Sequence, residues 1–100
     1  MTEVELVAKE DLGIVINQIL YVISDYDYSI IRAKVVSISK PYNEKHFYNK
    51  KHNYLVVNTE YLEDNTGGTV SFYPKHFNEC IFVNEELAKK KATEFKNVNN

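Results

Sequence analysis

A chain of 100 residues has room for one compact core, burying roughly 60 to 70% of its unfolded surface, and none for a catalytic domain with a separate regulator. With 44% hydrophobic residues, 26% charged residues, three Gly and two Pro, the composition excludes disordered and collagen-like chains. A net charge of −2 argues against a general nucleic-acid coat, and a single cysteine, Cys80, excludes an intramolecular disulfide.

The N-terminal segment, residues 1–13, reads "MTEVELVAKEDLG". It is acidic, has no apolar core of the secretory type, and points to a cytoplasmic protein. No stretch approaches the ~18 apolar residues of a membrane span, so no membrane partner is expected.

From Ile14 the chain turns β-rich. "IVINQILYVISDYDYSIIRAKVVSIS", residues 14–39, is dense in β-branched and aromatic residues and predicts two or three strands, with "SDYDYS" (24–29) as the turn before the last. Strict alternation puts Ile31, Ala33, Val35 and Ser37 on one face of that strand. Ile30, Arg32, Lys34, Val36 and Ile38 fall on the other.

Lys40-Pro41 interrupts the pattern and opens a long connection through residue 52. Residues 31–60 hold six bases against Glu44 and Glu60, whereas residues 1–30 hold six acids against Lys9, so the middle of the chain is locally basic. "YLVVNTEY" (54–61) restores strand character, "EDNTGG" (63–68) is a hairpin-type turn, and "TVSFY" (69–73) is a strand stopped by Pro74. A short run, "CIFV", precedes a helix predicted over 84–96. Asn84 is its N-cap, Glu85/Lys89 and Glu86/Lys90 are its i,i+4 pairs, and Leu87, Ala88, Ala92 and Phe95 form its apolar side; residues 97–100 are a frayed tail. The expectation is a single domain, mainly β within α+β. It is a small barrel over 14–83, or a curled antiparallel sheet of about five strands, closed by one C-terminal helix.

The stretches "LYVISDYDYSIIRAKVVSIS", "YLVV" and "IFVNEELAKKKATEF" resemble a class of small accessory proteins of bacteriophages and bacteria. The resemblance runs over roughly residues 14–96. It implies a Src-homology-3-like (SH3-like) or Tudor-like barrel with a C-terminal helix and a function in binding, not catalysis. The chain departs from the class at Leu12-Gly13-Ile14, where a Gly-Asp pair would open the first strand, and in its longer basic loop.

No nucleophile elbow, phosphate-binding loop or helix-borne His pair is present, so no catalytic residue and no cofactor is expected. His46, His52, His76 and Cys80 are zinc-ligand types, but their spacing lacks the two close pairs of a structural site, and no metal is expected. Lys40, Lys45, Lys50 and Lys51 alternate with Tyr42, His46, Phe47, Tyr48 and His52, joining phosphate-neutralising charge to stacking faces suited to single-stranded nucleic acid. Eight tyrosines and five phenylalanines exceed what so small a core hides. Tyr26 and Tyr28 in the turn, with Tyr42 and Tyr48 in the loop, are therefore expected outside, as contacts for a protein partner. On the leading reading that partner is a host or viral protein, engaged through these aromatic residues and the basic loop. Single-stranded nucleic acid on loop 40–54 is the alternative, and edge-strand pairing offers a route to a homodimer.

Overall fold

A computed structural model describes residues 2–39, 55–63 and 68–99. Its elements are α1 (Glu3–Leu12), β1 (Ile19–Ile23), β2 (Ile30–Ser39), β3 (Val56–Tyr61), β4 (Thr69–Phe72), β5 (Ile81–Phe82) and α2 (Glu85–Asn99). The five strands form one antiparallel sheet of order β4-β3-β2-β1-β5, curled into a half-barrel, and this is the strand-rich α+β architecture expected. Among the described residues β4 and β5 are its edges.

The helix α1 was not foreseen, although its ends are set locally. Thr2 and Glu5 form a reciprocal capping box, with Glu5 N–H donating to Thr2 Oγ1 at 3.1 Å and Thr2 N–H donating to Glu5 Oε2 at 2.7 Å. Gly13, at φ 70°, ends the helix in the left-handed conformation that glycine adopts without steric cost, and Ile14 then enters the core fully buried. Val4, Val7, Ala8 and Leu12 recur at helical spacing and pack on the inner face of the sheet.

That inner face carries one continuous aliphatic core. Leu20 and Val22 of β1, Ala33, Val35 and Ile38 of β2, Val57 of β3, Phe72 of β4 and Ile81 of β5 meet Ala8, Ile14 and Leu55. Thr59, buried among them, satisfies its hydroxyl by donating to the Val70 carbonyl at 2.9 Å.

Strict alternation fails in β2 at one point. Val35 pairs with Thr59 and Ser37 with Asn58, so Val36 is an extra residue, a β-bulge. Beyond it the facing inverts, Ile38 turning into the core and Ser37 and Ser39 outward. On the outer face Asn58 donates to Ser37 Oγ at 2.9 Å and to Ser39 Oγ at 3.2 Å, and Ser71 Oγ donates to Asn58 Oδ1 at 2.7 Å, tying β2, β3 and β4 together.

The other half of the outer face lies under α2. Ile23 and Phe82 pack against Ala88 and Ala92, with Tyr21, Tyr28, Ile30 and Phe95 around them. Asn84 caps this helix as expected, Oδ1 accepting from Glu86 N–H at 2.8 Å and Leu87 N–H at 3.2 Å. Glu85 pairs with Lys89 at 3.0 Å. Two features differ from expectation. The helix runs on to Asn99, and Leu87 stays 49% exposed because Ala88, Ala92 and Phe95 alone form the seam. No helix among the described residues is long and apolar enough to cross a membrane.

Candidate interaction surface

The turn between β1 and β2 is held by its own side chains. Ser24 N–H donates to the Ser29 carbonyl at 2.8 Å, Tyr28 N–H to the Ser24 carbonyl at 2.9 Å, and Tyr26 N–H to Ser24 Oγ at 3.2 Å. Asp27 Oδ1 accepts from Ser29 N–H at 3.0 Å and from Ser29 Oγ–H at 2.7 Å. These bonds, the hydroxyl first, hold the Asp27 carboxyl below the usual carboxylate range, so it is ionised at neutral pH.

The two tyrosines of this turn behave differently. Tyr26 is 94% exposed, as expected for a contact residue. Tyr28 is half-buried instead. Its φ of 60° is left-handed, a conformation that costs a bulky side chain roughly 1–2 kcal/mol, and its ring lies 6.0 Å from that of Phe95 in α2. The ring contact fastens the turn to the helix.

Between turn and helix lies a pocket of about 260 Å³ lined by Ile23, Ser24, Asp25, Tyr28, Cys80 and Phe95. Cys80 reaches it because β5 pairs with β1, placing Tyr21 opposite Phe82 and Val22 opposite Ile81. Burial, and then the carboxylates of Glu79 and Asp25, push the thiol pKa up, so Cys80 presents a neutral, weakly nucleophilic sulfur at neutral pH. On the α2 wall Lys91 Nζ lies 5.4 Å from the Phe95 ring centre, with Glu94 3.8 Å away.

Lys40, Tyr42, Lys45, His46, Phe47, Tyr48, Lys50, Lys51 and His52 lie outside the described residues, as does 64–67 of the expected hairpin turn. The flanks of the long connection, Ser39 and Leu55, stand at the end of β2 remote from Tyr26 and Tyr28. Ten strand residues separate the two ends by at most about 30 Å. The structure thus joins Tyr28 of the turn to Phe95 and Cys80, not to the stems of the basic loop. Phe95 lies on the apolar side of α2 and Cys80 immediately precedes β5, and it is the pairing of β1 with β5 that brings Cys80 to the pocket.

His76 serves locally, its Nδ1 accepting from Tyr73 N–H at 3.0 Å, and among the described residues no three potential metal ligands converge. No protein-family model, curated protein or solved structure matches the chain.

Proposed function

We propose that the protein is a non-enzymatic binding module, a bacterial or phage-type accessory protein that engages a host or viral protein through its aromatic turn. The observation that supports this reading is Tyr26. It is 94% exposed on a turn fixed by hydrogen bonds and by the Tyr28–Phe95 contact. A large amphipathic side chain presented on a rigid mount contributes contact area at little entropic cost, which is why tyrosine is enriched in binding hot spots. The neighbouring pocket gives a partner side chain somewhere to go.

The test is capture from bacterial lysate by the immobilised full-length chain, with and without nuclease. Wild type is compared with Tyr26→Ala and with the triple change Lys45→Glu, Lys50→Glu, Lys51→Glu. A protein partner is retained after nuclease and weakened by Tyr26→Ala by about 30-fold, the equivalent of a ~2 kcal/mol hot spot. Capture that nuclease abolishes and the triple change removes, with Tyr26→Ala silent, would mean that single-stranded nucleic acid is the ligand.

A further inference from the structure

The pocket between the β1–β2 turn and α2 combines apolar walls with an acidic residue. Ile23, Tyr28, Cys80 and Phe95 supply apolar surface, and Asp25 lines the same space. At about 260 Å³ it falls below the roughly 300–1,000 Å³ of small-molecule sites and is matched to one anchoring side chain. Glu79 precedes Cys80, and both Glu79 and Asp25 act electrostatically on the thiol at the pocket wall.

Among the described residues no cation pairs with Asp25 or Glu79. Carboxylates left without a cation among the described residues, beside an apolar depression, set the chemistry of what fits: an apolar tip with positive charge on either side. An acidic or neutral peptide would leave them unmatched.

We infer that this pocket docks an aliphatic or aromatic side chain of a partner protein, carried between lysines or arginines that meet Asp25 and Glu79. The inference rests on the binding-module reading and names the partner's chemistry. The apolar side chain packs against the walls formed by Ile23, Tyr28, Cys80 and Phe95, and the flanking cations stay at the solvated rim. There they raise the association rate and set orientation.

The single cysteine makes occupancy directly measurable. The full-length protein is treated with a maleimide at low ionic strength, alone and with capped Lys-Lys-Leu-Lys-Lys, Glu-Glu-Leu-Glu-Glu or Lys-Lys-Ser-Lys-Lys. The basic leucine peptide, well above its Kd, slows Cys80 modification about fivefold or more, and added salt reverses the effect. The other two peptides protect little. Combining Asp25→Asn with Glu79→Gln reduces the protection ratio for the basic peptide to that of the acidic one while leaving the thermal midpoint in place.

Equal protection by the acidic peptide, or none by any peptide, overturns the inference. So does protection that grows with protein concentration alone and accompanies a dimer in sedimentation, since the occupant is then a second copy. Tyr26-dependent protein capture without peptide protection sinks this pocket assignment and leaves the binding-module reading standing. Peptide protection without any Tyr26-dependent protein capture does the reverse.

Discussion

On the inner face of the sheet, Leu20, Val35, Leu55 and Val57 meet α1 in one continuous aliphatic core, whereas the outer face is divided. Its β1–β5 half is apolar and covered by α2. Its β2–β4 half is cross-linked by Asn58, Ser37, Ser39 and Ser71 in solvent. The same strands therefore hold together by burial inside and under α2, and by exchangeable hydrogen bonds elsewhere. Burial is worth about 25 cal/mol per Å² of apolar surface; an exposed hydrogen bond is traded for one to water at little net gain. The turn bearing Tyr26 stands at the margin of the apolar outer half, where α2 steadies it without covering it.

That contrast can be broken most directly at Leu55, 1% exposed immediately before β3. Leu55→Ala is expected to cost about 2–5 kcal/mol, read as a lower urea midpoint at unchanged slope. Asn84→Ala, which removes the cap of the covering helix, should cost about 1 kcal/mol in the same measurement. Asn58→Ala removes three hydrogen bonds across three strands, yet should cost less than about 1 kcal/mol because the freed groups rehydrate. A loss at Asn58 as large as that at Leu55 would mean that the polar half is structural in the same sense as the core.

The smallest effect is expected in acid. Glu5 is held below the usual carboxylate range by hydrogen bonds from Thr2, Asp27 by those from Ser29, and Glu63 by its hydrogen-bonded pair with the Arg32 guanidinium. Each pKa is lower folded than unfolded. Their contribution is therefore present in full above the unfolded values and is lost as pH falls through the folded ones. Thermal midpoints should be flat with respect to these groups near neutrality and decline below about pH 4, with Asp27→Asn making the decline shallower.

What could be read from the sequence was what local chemistry decides. Asn84 with Glu85 and Lys89 specifies a helix start without reference to anything distant, and Pro74 ends β4 because it has no donor to give. The capping box and Gly13 of α1 are equally local signals. Ten residues nevertheless make a marginal helix in isolation, and its apolar stripe gains meaning only when docked on the sheet. Facing in β2 was misjudged beyond Val35, since a bulge is a property of the pair and is invisible in one strand's alternation. Half of the candidate surface was foreseen in Tyr26. The other half, Phe95 and Cys80, depends on β1 lying beside β5, a pairing between residues some sixty positions apart. Tyr28 was placed outside because turns carry exposed residues, whereas its positive φ turns the ring back onto α2.

The bulge at Val36 also bears on how the gene tolerates change. Loss of that one codon would leave a regular strand in which Ala33, Val35 and Ile38 still face inward and Ser37 and Ser39 outward. A codon lost at Asn58 has no such reserve. Val57, Thr59 and Tyr61 alternate inward without interruption, and everything after the deletion would turn over, bringing Glu60 inside. Length variation among descendants of this chain should accordingly be accepted in the middle of β2 and purged from β3.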